Sequence, residues 1–340
     1  MSLRLVVLGA TGLVGRTMLE LVEARGWSVA RPRLLASERA AGRSASFRGA
    51  TLPVEPVHAG AFDGATIALF AGGNEVSRRW APVARAAGAV VIDNSSAFRY
   101  DDAVPLVVPE INGAELASRP TLIANPNCST IGIVMALAPL CAGRRLLRFW
   151  TATYQSVSGA GADALAALEA GALAALEAPA AAAEAEPLAF NVIPHIDRFE
   201  DNGATREEMK IVWESRKILG LPDLAVSSTA VRVPVRVGHA AAVTAWFDPP
   251  VGPDEARRAW AGFPGVRVVD APAEGRYPTP LAAAGRDDVL VGRARVDTGD
   301  PAALAFFVAS DNLRKGAALN AVQIGEAWLA RFAGAHSGVS

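Results

Sequence analysis

The chain has 340 residues, which at roughly 100–200 residues per domain implies about two domains. Hydrophobic residues make up 51% and charged residues 20%, enough apolar surface to offset conformational entropy, so disordered and fibrous classes are excluded. Lys and Arg number 33 against 34 Asp and Glu, a formal charge of -1, and this balance lacks the basic excess expected of a nucleic-acid binder.

Residues 3–8 are almost wholly apolar and end at Gly9, and residues 12–24 then carry apolar side chains at helical spacing. The pattern predicts a strand, a tight turn and a helix. No charged leader precedes the run, and Cys128 and Cys141 are the only cysteines, so a reducing cytoplasm is expected. Within the turn, Gly9-Ala10-Thr11-Gly12-Leu13-Val14-Gly15 has the glycine spacing that lets a backbone turn beneath a pyrophosphate and offer it a helix N-terminus. Its place between strand and helix is the context that such a motif requires.

A second strand is predicted near residues 34–36. Ser37-Glu38-Arg39 follows it in place of the lone acidic residue that commonly holds an NAD ribose. Ser37 and Arg39 suit a 2′-phosphate, so NADP is the expected cofactor. Apolar strands at residues 67–70 and 89–92, with a helix over residues 76–87 closed by Gly88, predict a parallel, helix-covered sheet. Another strand, residues 120–124, leads through Asn125-Pro126-Asn127-Cys128-Ser129-Thr130 into an apolar helix over residues 131–140. The apolar run 131–142 is interrupted by Pro139 and is shorter than the roughly 18 residues of a membrane span, so a soluble protein is expected.

Residues 162–186 are rich in Ala and Glu with spaced Leu, a helix former interrupted at Pro179. Strands are predicted at residues 226–235, 240–247 and 303–308, and a closing helix at residues 317–332. No fixed-period repeat is present.

A cysteine at a helix start, as Cys128 is here, is favoured as thiolate by the unpaired N–H groups and the helix dipole. Cys141 has no such setting. Arg232 and His239 stand at opposite ends of a strand and its loop. A guanidinium suits a carboxylate bidentately and an imidazole suits proton exchange near neutral pH. His58, His195 and His336 are read as structural. Without close ligand spacing, CxxC or HExxH, no metal site is expected.

Seven segments in order, namely Gly9 to Gly15, Ile92-Asp93-Asn94-Ser95-Ser96-Ala97-Phe98-Arg99, Val107-Val108-Pro109-Glu110-Ile111-Asn112, Asn125 to Thr130, Tyr154-Gln155-Ser156-Val157-Ser158-Gly159-Ala160-Gly161, Glu207-Glu208-Met209-Lys210 and Asp311-Asn312-Leu313-Arg314-Lys315-Gly316-Ala317-Ala318, make the chain resemble aspartate-semialdehyde dehydrogenase. The resemblance implies an NADP-dependent homo-oligomer, a dimer or tetramer, that reductively dephosphorylates aspartyl phosphate on the route to lysine, methionine and threonine. It makes Cys128 the acyl-thioester nucleophile, Gln155 its orienting neighbour and His239 the acid/base. Arg232 would bind the substrate carboxylate, Glu207 its ammonium group, and Arg99, Asn127 and Lys210 the phosphate. Gly9, Thr11, Gly12, Leu13, Val14, Ser37, Arg39, Ser158, Gly159 and Asn312 would contact NADP.

The family commonly has Cys before the Val-Arg pair and Ser after the His, where Ala230 and Ala240 stand here. Ala71-Gly72-Gly73 replaces a more usual Ser-Ala-Gly. The alternatives are a silent relative of the same family and an N-acetyl-glutamyl-phosphate reductase-like enzyme, whose glycine-flanked Cys-Tyr-Pro-Thr motif is missing. The expected α/β architecture is a Rossmann-like NADP-binding domain with a parallel sheet over residues 1–127, completed by residues 309–340, and an α+β catalytic and dimerisation domain over residues 128–308.

Overall fold

Four consecutive apolar residues, each fully buried, form β1 (Leu5–Leu8), the continuous hydrophobic pattern of a strand covered on both faces. The computed structural model describes residues 3–40, 42–177 and 188–332, apart from the side chain of Arg39. Within it the chain divides into one unit of residues 1–127 with 317–340 and a second of residues 128–316.

In the first unit β1 leads into α1 (Leu13–Ala24), followed by β2 (Arg33–Ala36), β3 (Ser44–Phe47), β4 (Ala50–Pro56), β5 (Ile67–Phe70), α2 (Asn74–Ala86), β6 (Val90–Asp93), α3 (Pro109–Asn112) and β7 (Leu122–Ala124). The sheet order is β3-β4-β2-β1-β5-β6-β7. All pairs are parallel except the β3–β4 hairpin at the edge. The order doubles back at β1, so the β1–α1 turn lies at a topological switch point, where α/β sheets bind their ligands.

The second unit opens with α4 (Cys128–Leu137), whose residues 129–137 are all buried, and β8 (Arg145–Gln155). There follow α5 (Ala162–Glu177), α6 (Arg206–Leu219), β9 (Ala225–Arg232), β10 (His239–Asp248), α7 (Pro253–Ala261), β11 (Val266–Val268), α8 (Pro280–Ala283), β12 (Val289–Val296) and β13 (Ala303–Ser310). The six-stranded sheet runs β11-β12-β13-β10-β8-β9. Its two outer pairs are parallel and its inner pairs antiparallel. Trp260 of α7, fully buried, donates from Nε1 to the Ala136 carbonyl of α4 at 2.8 Å and lies 5.2 Å from the Phe306 ring of β13.

The chain re-enters the first unit through α9 (Leu319–Phe332). Its Leu319, Val322, Ile324 and Trp328 join Val7, Leu21, Val22 and Ile92 in one core.

Three expected boundaries shift. The helix expected at residues 131–140 begins at Cys128 and ends at Leu137, and Pro139 lies in a 3₁₀ turn, Ala138–Cys141. The strand expected through residue 235 stops at Arg232, two residues before Pro234, which has no N–H for a ladder. The return to the first unit, expected at residue 309, comes at Ala317. The delay arises because β13 pairs with β10 as far as Ser310 and the Asp311 carboxylate then accepts the Leu313 and Arg314 amides. Residues 178–186 of the Ala- and Glu-rich tract, with Pro179, lie outside the described residues. Among the described residues no helix is long and apolar enough to cross a membrane.

Candidate active site

The register of the second sheet collects the reactive side chains at one end. Gln155, the last residue of β8, pairs with Arg232, the last of the parallel strand β9. Beside them Tyr154 pairs with Ala240 of the antiparallel β10, and His239, the first residue of β10, pairs with Ser310 at the end of β13. Four strands therefore deliver Gln155, Arg232, His239 and the Ser310–Asn312 turn to the same rim.

Cys128 is the first residue of α4 and half-buried, where the amides of the first helical turn have no intrahelical acceptor. Gly316 admits the turn after β13: a Cβ there would stand 3.0 Å from Cys128 Cβ. Burial lowers the pKa of the Arg232 guanidinium, while the negative charges of Cys128 and Glu207 raise it, so Arg232 lies within the fields of both. Arg232 Nη1 donates to the Ser156 carbonyl at 2.7 Å, and among the described residues its other arms take no partner. That leaves a planar fork for a carboxylate. Cys141 lies in the 3₁₀ turn after α4, and burial pushes its thiol up to about 11.

His239 is fully enclosed. Its Nδ1 accepts the Ser156 amide at 3.0 Å and lies 3.0 Å from Ser156 Oγ, whereas Nε2 has no hydrogen-bond partner among the described residues. Burial first, and the charge of Arg232 second, lower its pKa to about 3, so the ring is neutral near pH 7. Gly159 lies against this pair: a Cβ there would be 3.2 Å from His239 Nε2 and 3.4 Å from Arg232 Nη1. Asn312 and Ser158, expected at the cofactor, are both buried and bonded to each other at 2.9 Å. Asn312 Oδ1 also accepts from the Gly238 amide at 2.9 Å and Ser156 Oγ at 3.0 Å.

On α6, Lys210 Nζ pairs with Glu207 Oε2 at 2.9 Å and with Asp197 Oδ2 at 2.7 Å. Glu207 is buried. The start of α6 is fixed by a capping box, with Thr205 Oγ1 accepting the Glu208 amide and Glu208 Oε2 accepting the Thr205 amide. Glu208 Oε1 accepts the Ala230 amide at 2.9 Å, tying α6 to the strand that ends in Arg232.

The remaining expected residues lie in the first unit. Gly9 adopts φ +89, and a Cβ there would stand 2.6 Å from the Ala71 carbonyl; a Cβ on Gly15 would stand 2.2 Å from the Gly9 carbonyl. Both glycines are required by the protein's own packing. Gly12, the N-cap of α1, is exposed, has φ −76, and a Cβ there would meet only the Gly9 carbonyl at 3.5 Å. The open ground at Gly12, over a helix start with no acidic residue in its first turn, fits the pyrophosphate of a nicotinamide dinucleotide. Thr11, Leu13 and Val14 are half-buried around it, and Ser37 is exposed directly after β2. The Arg39 side chain lies outside the described residues. Arg99 is buried and donates from Nη2 to the Asn94 carbonyl at 2.7 Å. Asn127 is buried next to Cys128 in sequence. Asn125, bonded to Asn94 at 2.9 Å and to Asn320 at 2.7 Å, anchors the segment leading to it. Among the described residues no group of three or more His, Cys, Asp or Glu is placed to hold a metal ion.

Ser156, Asp197 and Glu208 have parts in this geometry that sequence reasoning missed. Thr205-Arg206-Glu207-Glu208 is a legible capping-box signal for Glu208, and Ser156 falls between Gln155 and Ser158. Asp197 carries no signal: it is a loop residue with positive φ, +69.

Residues 4–119 match the family model "Semialdehyde dehydrogenase, NAD binding domain", and residues 137–315 match "Semialdehyde dehydrogenase, dimerisation domain". The aspartate-semialdehyde dehydrogenase of Legionella pneumophila is 46% identical over 332 residues, 95% of each chain. The crystal structure of aspartate semialdehyde dehydrogenase II from Vibrio cholerae superimposes with a TM-score of 0.92 at 43% identity, covering 98% of this chain and 99% of that one. The structure of that enzyme complexed with ASA gives 0.91 at 42% identity, with the same coverage. With a nicotinamide-binding α/β unit, a mixed-sheet unit and similarity over nearly its whole length, the chain belongs to the aspartate-semialdehyde dehydrogenase family.

Proposed function

We propose that the chain interconverts L-aspartyl 4-phosphate and L-aspartate 4-semialdehyde with NADP(H), through a thioester on Cys128. The observation that carries this reading is the charge cluster in which Cys128 heads a helix, Arg232 lies within the fields of Cys128 and Glu207, and buried His239 lies within those of Arg232 and Glu207. ASA in the Vibrio relative supports the substrate class.

Arg232 binds the substrate α-carboxylate and Glu207 its ammonium group, fixing the side-chain carbonyl near Sγ. The Cys128 thiolate forms the C–S bond, and the C–O bond to phosphate breaks with its electron pair going to the phosphate oxygen. Arg99, Asn127 and Lys210 hold the leaving phosphate. The nicotinamide cofactor, when bound, supplies the hydride that reduces the thioester carbonyl carbon. Breaking the C–S bond of the resulting tetrahedral oxyanion forms the aldehyde and returns the Cys128 thiolate. Gln155 orients the acyl group, and His239 serves the carbonyl oxygen.

Gly9, Thr11, Gly12, Leu13 and Val14 seat the pyrophosphate, and Ser37 and Arg39 read the 2′-phosphate, which favours NADP over NAD. Ser158 and Gly159 border the nicotinamide end. A homodimer is supported by the outer face of β8, where Leu147, Trp150 and Tyr154 are exposed large apolar residues. Cys128 and Cys141, neither of them in a disulfide, suit a reducing cytoplasm.

The test is NADPH formation from aspartate semialdehyde, phosphate and NADP, with N-acetyl-glutamate semialdehyde and NAD as competitors. Turnover confined to aspartate semialdehyde, with NADP preferred, supports the reading. No turnover would identify a silent relative, and preference for the acetylated substrate would identify the reductase.

A further inference from the structure

We propose that Asp93 is a positioning residue for Arg99: its buried carboxylate fixes the loop that carries the guanidinium proposed to hold the leaving phosphate. Asp93 is the last residue of β6 and is fully buried. A carboxylate taken out of water needs strong donors around it. Its partners among the described residues are all neutral: Oδ1 accepts Ser77 Oγ of α2 at 2.6 Å and the Ser95 amide at 3.1 Å, and Oδ2 accepts Ser95 Oγ at 2.6 Å.

Residues 94–98 belong to neither helix nor strand, so the course of their backbone is set by what takes their amides. The Ser95 amide goes to Asp93 Oδ1, the Ser96 amide to Asn74 Oδ1 at 2.9 Å and the Ala97 amide to Ser95 Oγ at 3.1 Å. Three consecutive amides are thus held by side chains, each across a short turn or from α2. Two of the three depend on Asp93. The Ser95 hydroxyl has one proton, and donating it to Asp93 Oδ2 leaves a lone pair for the Ala97 amide.

Arg99 follows directly and is buried. Its Nη2 donates to the Asn94 carbonyl at 2.7 Å. Asn94 is itself held, with Nδ2 donating to the Phe70 carbonyl at 3.1 Å and Oδ1 accepting Asn125 Nδ2 at 2.9 Å. Asn94 therefore fixes the guanidinium, while Asp93 and Ser95 fix the backbone from which that side chain springs. A guanidinium ordered at both ends loses less conformational freedom when it takes up an anion, so its preorganisation favours binding. Asp93 does this without touching the anion, because Ser77 and Ser95 enclose its carboxylate.

This inference rests on Arg99 as a ligand of the phosphate. The test measures KM for phosphate with the full-length protein, in NADPH formation from aspartate semialdehyde, phosphate and NADP. Arg99→Ala should raise it by about tenfold to a hundredfold, as loss of a hydrogen bond to a charged group does. Ser95→Ala removes the hydroxyl that joins Asp93 to the Ala97 amide and should raise it by about threefold to tenfold, as loss of a neutral hydrogen bond does, with KM for aspartate semialdehyde unchanged. Asp93→Asn should act in the same direction, because its Nδ2 cannot accept the Ser95 proton; if that variant does not fold, Ser95→Ala decides alone.

In an Arg99→Ala background, Ser95→Ala should add nothing, because a residue that acts through a guanidinium has no effect once the guanidinium is gone. A merely structural role would add to both backgrounds. An equal rise in the two, or no rise in the wild type, would overturn the proposal. A KM for phosphate left unchanged by Arg99→Ala would remove Arg99 from the phosphate, and the proposal with it.

Discussion

Asp197 Oδ2 lies 2.7 Å from Lys210 Nζ, the ammonium group that also pairs with Glu207 Oε2 at 2.9 Å. Burial raises the Asp197 pKa, but the Lys210 ammonium and the Arg198 amide outweigh it and hold the carboxyl below its ordinary value. Two carboxylates therefore share one cation, and in the proposed role of Lys210 they compete with phosphate for it.

Asp197→Asn should remove that competition. A partly exposed ion pair contributes about 0.2–1 kcal/mol, so KM for phosphate should fall by about 1.4-fold to fivefold. Raising the salt concentration should narrow the difference, because screening weakens the wild-type pair. An unchanged or higher KM for phosphate would mean that Asp197 orients Lys210 and does not compete for it.

The two cysteines should separate cleanly by reactivity. Burial drives the Cys141 thiol to about 11, and its Sγ lies 3.5 Å from the Leu137 carbonyl, while Cys128 heads α4. Iodoacetamide near neutral pH should label Cys128 first, Cys128→Ser should abolish NADPH formation, and Cys141→Ser should remain near wild type. Intact-mass analysis after adding the acyl phosphate without cofactor should place the adduct on Cys128; an adduct mapping to Cys141 would overturn the assignment.

What could be read from the sequence depended on how local the cause was. The β1–α1 turn and the Cys128 helix start were legible because each is written in a few adjacent residues. β8, which delivers Gln155, carries no clear strand signal in the sequence, because its exposed Trp150 and Tyr154 interrupt the polar side of the alternation. The family resemblance implies cofactor contacts for residues 158 and 312. Their burial behind His239 depends on β8, β10 and β13 ending at one rim, and that pairing is not a local property. Asp197 is joined to Lys210 by loop geometry alone.

Gly12 and Gly15 of the first turn should fail in different ways. Gly15→Ala places a Cβ 2.2 Å from the Gly9 carbonyl, so backbone must move and Tm should fall by several degrees or more, in line with about 1–3 kcal/mol for overpacking. Gly12→Ala meets nothing that close and should melt near wild type, yet it should weaken NADPH binding by about tenfold or more, a loss of about 1.4 kcal/mol. Fluorescence titration of NADPH beside thermal melts checks both. Gly12→Ala binding NADPH normally would separate the pyrophosphate from this helix start.

Replacing Arg232 by Lys keeps the charge and removes the fork. The guanidinium already gives Nη1 to the Ser156 carbonyl, and a lysine cannot hold that carbonyl and a bidentate carboxylate in one plane. Arg232→Lys should lower kcat/KM by about tenfold to a hundredfold, consistent with about 1.5–3 kcal/mol for a charged hydrogen bond. NADPH affinity, titrated without substrate, should not change. A near-normal kcat/KM would remove Arg232 from substrate binding.

His239 should also tie stability to pH. Burial, followed by the charge of Arg232, lowers its native pKa from 6.5 to about 3. Between those values the unfolded chain binds a proton that the native chain does not, so the unfolding free energy falls as pH falls. Above the ordinary value the contribution is complete, and at about pH 5 roughly 1.5 units of the window have been crossed, or about 2 kcal/mol at 1.36 kcal/mol per unit. The Asp197 carboxyl, lowered from 3.8, loses its contribution only below about that value, outside the interval from about pH 7 to pH 5 in which the His239 effect is read. Urea unfolding at about pH 7 and pH 5 should show this loss in the wild type, with most of it absent in His239→Gln, whose side chain does not titrate. An equal pH dependence in both proteins would show that the His239 ring is not held neutral in the native fold.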